Sequence, residues 1–450
     1  MVSMVEPDKV KQKLDQVGCG FCLAKWTQVT IHLGSGINHS CHHVKAHTIP
    51  ADKVVDNPHL LHNTGFKKNT RKQMLNRERP DECDYCWRVE DNTDSFSDRI
   101  WKSRDPWSWQ DYHKIAKSTG DEDFYPRYVE VSFSNVCNFM CGYCGPAFSS
   151  KWHDEIKKHG PYKFKLSNWQ YNLLDEYQMQ IPEREDNPYI EAFWKWFPEA
   201  VNHMFTFRIT GGEPLLSKHT DRVLDYLLEN PQPQLEFAIN SNACPPGNKW
   251  NEFVDKVKKL EENKCIRKFC LFVSAESKGK QAEYNRDGMD WQAFVANVKY
   301  YLKNVKGRLC FMSAFNILSF PTFMPFLVFV LSLKKAFEGR IDISIPYVRN
   351  PGFLDGQIAT KDLIKKYLYP CRDFMKLNKD YFERREISDF VRIIEDLERR
   401  INNPETAGRM QNVNRKMFYE WIEQYDTRRG KNFNLIFPEL VQFKEFCKNV

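Results

Sequence analysis

Three cysteines lie within eight residues in this chain of 450 residues. Cys137, Cys141 and Cys144 are spaced C-x3-C-x2-C, and the apolar, strand-like run YVEVSFS comes just ahead of them. Three thiolates at this spacing can bind three irons of a cubic [4Fe-4S] cluster and leave the fourth iron without a protein ligand. Metal sites that keep an open position are the ones that do chemistry, whereas closed sites are structural. The motif therefore predicts a catalytic iron-sulfur cluster.

Two simpler explanations of the three cysteines fit less well. A zinc knuckle needs four ligands, and the next histidine, His153, follows Cys144 by nine residues. A disulfide would leave one of the three thiols unpaired. A second motif, ITGGEPLL at Ile209 to Leu216, places two glycines and an acid after a strand-like run.

The two motifs together resemble the signatures of the radical S-adenosylmethionine (radical SAM) superfamily. The resemblance implies that the open iron binds the amino and carboxylate groups of S-adenosylmethionine (SAM). One electron from the cluster would then cleave SAM to methionine and a 5'-deoxyadenosyl radical, which abstracts a substrate hydrogen. The protein supplies position and excludes solvent. An electron donor such as flavodoxin or ferredoxin is implied as a partner, and no catalytic side chain is assigned.

The resemblance also implies a set of SAM-binding residues, most of them at the carboxyl ends of predicted strands. They are Tyr143, Gly211, Gly212, Glu213, Asn240, Ser274, Glu276 and Arg286. Glu213 is expected at the SAM ammonium group, and the two glycines before it let the backbone approach the cofactor. Ser274 and Arg286 are expected to reach the ribose or carboxylate of SAM; a helix cap and a surface ion pair are the ordinary alternatives. Glu276 stands where the family usually has aspartate.

The region from residue 128 to 353 alternates short β-branched and aromatic runs with amphipathic helical patterns. Strands are predicted at 128–134, 205–210, 235–240, 268–275, 308–315 and 341–347. Apolar residues recur at helical spacing in HTDRVLDYLLEN, NEFVDKVKKLEEN and DWQAFVANVKYYLKN, which lie between them. This alternation predicts an α/β fold with parallel strands and crossover helices. Six such units resemble the partial (β/α)6 TIM-like barrel of radical SAM enzymes.

A second set of cysteines precedes the predicted barrel. Its members are Cys22, Cys41, Cys83 and Cys86. The first two are spaced C-x13-G-x4-C, which resembles the opening half of the SPASM or twitch auxiliary-cluster domains, although those domains usually follow the barrel. The resemblance implies an auxiliary [4Fe-4S] cluster; a zinc site closed by the same four thiolates is the alternative. Cys19 could replace one of the ligands, and metal analysis would separate iron from zinc.

The run GFKKNTRKQMLNRER, between the two cysteine pairs, is strongly basic, with Glu78 as its only acid. Such a run can bind an acidic or nucleic-acid partner, but it is more typical of one solvated helix face. Nucleic acid is therefore not the expected partner. Five histidines crowd the same region and are expected to be surface or hydrogen-bonding residues, because four cysteines already suffice. They are His32, His39, His42, His43 and His47.

Composition bounds the compartment and the partners. The chain has 66 Lys and Arg against 59 Asp and Glu, so its net charge of +7 is mild for this length and indicates no strong polyanion partner. The N-terminus lacks the apolar segment of a signal peptide. The most apolar run, 320–333, contains two prolines and is too short for a membrane span. Fourteen cysteines without an export signal favour metal or redox chemistry, and a cytoplasmic location is expected.

Three regions are predicted: residues 1–127 as the auxiliary-cluster domain and linker, 128–353 as the barrel, and 354–450 as a helical extension. In the extension one apolar helix face is formed by Ile387, Phe390, Val391, Ile394, Leu397 and Ile401. Because relatives with auxiliary clusters often modify peptides or proteins, such a substrate is the first hypothesis. Modification of a nucleotide, sugar or other small metabolite is the second. A non-catalytic metal-binding nucleic-acid module is an alternative from a different class.

Overall fold

A nine-stranded sheet joins the N-terminal region to the predicted barrel. The chain is described here from a computed structural model that covers residues 5–165, 167–172, 180–182, 185–402 and 409–450. The strands in these ranges are β1 (Gln28–His32), β2 (Ile37–His39), β3 (His47–Thr48), β4 (Tyr128–Ser132), β5 (Met140–Cys141), β6 (Tyr162–Phe164), β7 (Ser167–Tyr171), β8 (Thr206–Thr210), β9 (Gln232–Ser241), β10 (Ile266–Ser274), β11 (Arg286–Asp287), β12 (Arg308–Met312) and β13 (Ile341–Ser344). The large sheet has the order β13-β12-β10-β9-β8-β4-β1-β2-β3.

Helices fill most of the intervals between these strands. The α-helices before the barrel are α1 (Pro7–Val17), α2 (Ala24–Thr27), α3 (Ala51–Val54), α4 (Gly65–Leu75), α5 (Asp84–Asn92), α6 (Asp98–Arg104), α7 (Pro106–Trp109) and α8 (Tyr112–Ile115). Those of the barrel region are α9 (Ser150–His159), α10 (Pro188–Ala200), α11 (Lys218–Glu229), α12 (Lys249–Glu262), α13 (Gly279–Asn285), α14 (Trp291–Asn304) and α15 (Phe323–Ala336). The last are α16 (Lys361–Leu363), α17 (Tyr369–Leu377), α18 (Arg384–Asn402), α19 (Arg409–Arg429), α20 (Phe433–Ile436) and α21 (Val441–Asn449).

The six strands predicted from the sequence are all present, and each pairs in parallel with the next one along the chain. β4, β8, β9, β10, β12 and β13 follow one another without the reversal of order that marks a doubly wound sheet. The last two strands are shorter than predicted, although an isolated bridge joins Phe315 to Tyr347 beyond their ends. The α/β alternation and the three helices predicted between strands are therefore confirmed.

Alternate residues of the parallel strands explain why the sequence forms this sheet. Val129 and Val131 in β4, and Phe207 and Ile209 in β8, are completely buried and belong to the same apolar core as the helices. The residues between them are polar. Arg208 of β8, for example, pairs with Glu130 of β4 on one side and with Ala238 of β9 on the other. A sheet with one apolar and one polar face leaves its polar face available for a site.

The sheet continues across the predicted domain boundary at residue 128. β1 lies parallel to β4, with Val29 opposite Val129, while β2 and β3 extend the sheet in antiparallel fashion. The N-terminal region and the predicted barrel therefore share one sheet. The division into three domains stays a prediction.

The basic run between the cysteine pairs forms α4, but it is only partly solvated. The side chains of Lys67 and Arg71 are fully buried. Arg71 donates to the Asn63 side chain at 2.9 Å, and Lys67 Nζ lies 2.9 Å from His62 Nδ1. The prediction of one solvated face is wrong for these two residues, because their spacing of four places both toward the N-terminal core. Lys72 remains exposed as predicted.

The C-terminal region covers one edge of the sheet. α18 is the predicted amphipathic helix, and Phe390, Ile394 and Leu397 are buried on its apolar face. Next to them, Glu386 accepts a hydrogen bond from the Ile343 amide of β13 at 2.8 Å and pairs with Lys334 at 2.9 Å. Lys334 in turn donates to the Ile341 carbonyl of the same strand at 2.9 Å. Across the described ranges, no helix is both long enough and apolar enough to cross a membrane.

Candidate functional site

The C-x3-C-x2-C motif forms a loop that follows β4. Cys137 lies in the loop, Cys141 ends the short strand β5, and Cys144 follows three residues later. Burial raises the pKa of all three thiols, that of Cys144 to about 12. The Cys141 thiol raises the pKa of the other two further, which is the effect of like charges that lie near one another. The loop thus brings the three predicted ligands together.

Side chains of α9 fix the course of this loop. Ser150 Oγ accepts a hydrogen bond from the Cys137 amide at 3.2 Å, and Trp152 Nε1 donates to the Cys141 carbonyl at 2.9 Å. The Phe139 amide donates to Cys137 Sγ at 3.4 Å. A donated hydrogen bond favours the thiolate, which is the form that binds metal. The chemistry of this donor set, three near thiols with an N–H donor on one of them, fits an iron-sulfur cluster.

The GGEP turn after β8 is bonded directly to the cysteine loop. The amides of Gly212 and Glu213 donate to the carbonyls of Ser134 and Val136, at 3.2 and 2.8 Å. A side chain at Gly212 would lie 2.4 Å from Val136 O, and one at Gly211, where φ is +128°, would lie 2.8 Å from Ser134 O. The glycines are therefore required for close packing of the two motifs against each other. Their close neighbour is the backbone of the cysteine loop, which the sequence did not predict.

The Glu213 carboxylate is buried at the ends of β8 and β9. Its Oε1 accepts hydrogen bonds from the Leu215 amide at 3.1 Å and from Ser241 Oγ at 2.8 Å, and its Oε2 accepts from the Asn242 amide at 2.6 Å. Burial raises the pKa of Glu213 to about 7, although these three hydrogen bonds oppose the shift. The three hydrogen bonds thus fix the carboxyl group in position at the edge of the cysteine loop, while burial on balance favours its neutral form.

The segment after β10 meets the cysteine loop from the other side. Glu276 is completely buried and forms an ion pair with Arg286 Nη2 at 2.7 Å. It also accepts hydrogen bonds from Asn285 Nδ2 at 2.8 Å and from the Tyr143 hydroxyl at 3.3 Å. Arg286 Nη1 lies 3.8 Å from Cys141 Sγ, and the backbones of these two residues pair between β11 and β5. The structure thus brings three of the predicted SAM-binding residues, Tyr143, Glu276 and Arg286, together near Cys141.

This arrangement corrects one alternative and qualifies one expectation. Arg286 does not form a surface ion pair, because both Arg286 and Glu276 are buried. Its guanidinium is committed to Glu276 and faces a cysteine. Ser274 ends β10 as predicted. Asn240 accepts a hydrogen bond from Arg208 Nε at 2.8 Å, so its side chain is held along the polar face of the sheet.

The four N-terminal cysteines line one cavity, although they come from separate elements. Cys22 precedes α2, Cys41 follows β2, and Cys83 and Cys86 lie at the start of α5. Charged and polar residues complete the wall: Lys25, Ser40, His43, Asp98, Arg99 and Lys102. Burial raises the pKa of Cys41 to about 11 and of Cys86 to about 12, and the Cys22 thiol raises both further.

Cys19 and the five histidines of this region are exposed or form hydrogen bonds with neighbouring groups. Cys19 is exposed and donates to a backbone carbonyl at 3.1 Å. His32 Nε2 lies 3.3 Å from His39 Nε2, and His43 Nε2 lies 2.9 Å from Asp98 Oδ2. His47 bonds to a threonine hydroxyl at 2.8 Å, and His42 is exposed. The prediction that these histidines are surface or hydrogen-bonding residues is confirmed.

Neither cysteine site is arranged to hold a single metal ion among the residues that the structure describes. Within the described ranges, no three or more His, Cys, Asp or Glu side chains are arranged to hold a metal ion. A cubic cluster binds each cysteine through a separate iron, so its ligands stand farther apart than those around a single ion.

The C-terminal helix α19 adds residues to the site that the sequence did not predict. Arg429 Nη1 donates to the Met140 carbonyl at 2.6 Å, and the Trp421 ring packs against Gly142 of the cysteine loop. Trp421, Tyr425 and Arg429 recur every four residues and so share one helix face. That spacing is visible in the sequence, but nothing in it indicates that this face covers a loop almost three hundred residues earlier.

Comparison with known proteins gives few matches. No family model matches the chain, and no curated protein matches it. Two solved structures of SuiB from Streptococcus suis, one of them bound to S-adenosylmethionine, align with 79% of this chain and 70% of theirs at 14% identity. The TM-scores are 0.38 and 0.37. At these values the likeness carries no conclusion about fold or activity.

Proposed function

We propose that this chain is a radical SAM enzyme built on a partial (β/α)6 barrel. The observation that carries the proposal is the direct contact between its two motifs at the carboxyl ends of neighbouring parallel strands. The Glu213 amide donates to the Val136 carbonyl, one residue before Cys137. Two sequence motifs that are 67 residues apart, counted from Cys144 to Gly211, thereby form one structural unit. The carboxyl end of a parallel sheet is also where such folds place their reactive groups.

In this proposal Cys137, Cys141 and Cys144 would hold a [4Fe-4S] cluster. When bound, the cluster and SAM would supply the 5'-deoxyadenosyl radical that removes a hydrogen from the substrate. The chain's own part is to hold the three thiols and to shield them, since all are at least half-buried. The indole of Trp152 and the buried pair of Arg286 with Glu276 support the loop on two sides.

Glu213 would bind the ammonium group of SAM. Its Oε2 accepts a single hydrogen bond among the described residues, from the Asn242 amide, and a carboxylate oxygen can accept two. Tyr143, Gly211, Gly212, Asn240, Ser274, Glu276 and Arg286 complete the proposed SAM-binding set. Of these, Arg286 is the one whose role most needs revision, because its guanidinium is held by Glu276. It would act on the cluster side of the site.

The N-terminal cavity would hold an auxiliary [4Fe-4S] cluster through Cys22, Cys41, Cys83 and Cys86. Support comes from the convergence of these four thiols on one cavity with Lys25 and Arg99 in its wall. Cationic groups stabilise the negative charge of a thiolate-bound cluster. The proposed substrate is a peptide or protein, and the electron donor a flavodoxin or ferredoxin.

Anaerobic reconstitution with iron and sulfide tests the proposal. The chain is expected to take up about eight irons if both cysteine sets hold cubic clusters, and about four if only the loop does. Addition of SAM and a reductant should then release 5'-deoxyadenosine, even slowly without substrate. A chain that binds only zinc, or that binds iron and never cleaves SAM, would contradict it.

A further inference from the structure

Arg429 is a buried cation that belongs to the C-terminal helix but serves the cysteine loop. Its side chain is 3% exposed. Nη1 donates to the Met140 carbonyl at 2.6 Å and lies 3.5 Å from Asp287, while Nε donates to Glu155 at 2.8 Å. The guanidinium therefore joins the strand that carries Cys141 to two acidic residues of the surrounding elements.

The remaining nitrogen of this guanidinium, Nη2, has no hydrogen-bond partner among the described residues. In the part of the chain that the structure describes, Arg429 Nη2 is buried and no side chain or carbonyl accepts from it. Buried guanidinium N–H groups are strongly favoured to donate a hydrogen bond. Both N–H groups of Nη2 are thus left for an acceptor that is not a group of the described chain.

The environment holds this guanidinium rigidly beside Cys141. The rings of Trp152 and Tyr425 flank it, at 4.5 and 4.1 Å from its central carbon to the ring centres. Trp152 also donates to the Cys141 carbonyl at 2.9 Å. A second arginine lies near the thiol of this cysteine, since Arg286 Nη1 is 3.8 Å from Cys141 Sγ. The two guanidinium groups thus place positive charge beside Cys141 and the neighbouring Met140.

We propose that Arg429 is a positioning residue that raises the reduction potential of the cluster bound at Cys141. It would do so by holding the Met140 carbonyl and by donating its free N–H to a sulfur on the Cys141 side of the cluster. The inference rests on the proposed function, since it requires a cluster in the loop. Hydrogen bonds to sulfur and nearby charge are what set the potential of such clusters, because they stabilise the more negative, reduced state.

The test compares Arg429→Gln and Arg429→Lys with the matched control Arg428→Gln. Arg428 is the preceding residue of the same helix, and it donates to the Gly160 carbonyl at 2.9 Å and to the Pro161 carbonyl instead of to the cysteine loop. Each full-length variant is reconstituted with iron and sulfide, its iron is counted, and its potential is measured by redox titration followed by EPR. The EPR signal that changes on addition of SAM identifies the cluster in the loop.

Arg429→Gln is expected to keep its iron and to titrate at a more negative potential than the wild type, with Arg429→Lys in between and Arg428→Gln unchanged. Equal potentials for all four proteins would overturn the inference. If Arg429→Gln fails to fold, Arg429→Lys against Arg428→Lys decides the question in the same way. A wild-type chain that takes up no iron would instead overturn the proposed function, and that result is distinct from a bound cluster whose potential ignores Arg429.

Discussion

The two cysteine sites of this chain are built in opposite ways. Cys137, Cys141 and Cys144 come from one loop of eight residues, so their proximity is given by the chain itself. The thiols of the N-terminal cavity come from positions 22 to 86 and meet only because that whole region folds. The cysteine loop therefore needs neighbouring elements only to orient its three thiols. The four thiols of the N-terminal cavity come together only when the whole N-terminal region is folded.

Burial disfavours charge in both regions, and it therefore shifts the pKa of acids and of bases in opposite directions. Near the loop, burial raises the pKa of Glu213 to about 7. Near the cavity, burial lowers the pKa of His39 to about 4 and that of His47 to about 3. The loop site thus favours a neutral acid, and the N-terminal region favours neutral bases. Both groups avoid charge in a place with little solvent.

The largest expected effect is that of Cys141→Ala, because it removes one of the three proposed cluster ligands. Release of 5'-deoxyadenosine should be abolished, and bound iron should fall from about eight to about four per chain. Cys19→Ala is the control, since Cys19 is exposed and lies outside the walls of the cavity. Undiminished release by the Cys141 variant would remove the loop from the chemistry.

Cys83→Ala should have a smaller effect that separates the two sites. Iron is expected to fall to about four per chain, while 5'-deoxyadenosine release in the absence of substrate continues. Iron analysis and product chromatography on the same sample measure both quantities. If release stops as well, 5'-deoxyadenosine formation at the loop depends on the N-terminal cavity, and the two sites are not independent.

A stability comparison tests the ion pair next to each site. Arg286→Met leaves the fully buried Glu276 without its cation and should lower the free energy of unfolding by about 3–5 kcal/mol. Lys25→Met leaves Glu82, whose side chain is 12% exposed and still accepts from Thr70 at 2.9 Å. Its cost should be about 1–3 kcal/mol. Urea unfolding followed by circular dichroism measures both, and equal costs would contradict the assigned difference.

The pH dependence of stability gives the most specific test. Folded Glu213 keeps its proton up to pH about 7, while the unfolded residue releases it near 4.5, so the folded state binds more protons in that window. Its contribution to stability is therefore full below pH 4.5 and is lost as the pH rises to 7, by about 3 kcal/mol. In Glu213→Gln that loss should vanish from urea midpoints measured across the window.

His39 should show the opposite sign. The folded residue releases its proton near pH 4 and the unfolded one near 6.5, so the unfolded state binds more protons between these values. Stability should therefore rise with pH across this window. His39→Phe is expected to reduce this rise. Because the two windows overlap, each contribution is measured as the difference between the variant and the wild type at the same pH, and the differences for His39 and Glu213 should change with pH in opposite directions. A change in the same direction would contradict the assignment.

The sequence predicts the parallel strands well because their signal is local. Runs such as LEFAIN and KFCLFVSA combine β-branched and aromatic residues with turn residues at their ends, and each became a strand within a few residues of the expected limits. The placement of the cysteine loop and GGEP at the carboxyl ends of strands also follows from local rules, although the backbone contact between the two motifs does not.

What the sequence did not predict depends on pairing over long distances. QVTIH is a short β-branched run, but its parallel partner lies about one hundred residues later, and no pattern in the run specifies that partner. The burial of Lys67 depends on His62 and on a carbonyl of β1, which cannot be seen in a helical charge pattern. The role of Arg429 is hidden for the same reason, since its partner loop is remote in sequence.

The hydrogen bonds of Glu386 and Lys334 to the backbone of β13 have a consequence for the tendency of the protein to aggregate. An edge strand without such partners presents unpaired amide and carbonyl groups, which can pair with a strand of another chain and lead to aggregation. Here an amide of Ile343 and a carbonyl of Ile341 are already occupied by buried side chains. Helix α18, which carries Glu386, thus covers this edge of the sheet, and its proteolytic removal should make the chain self-associate.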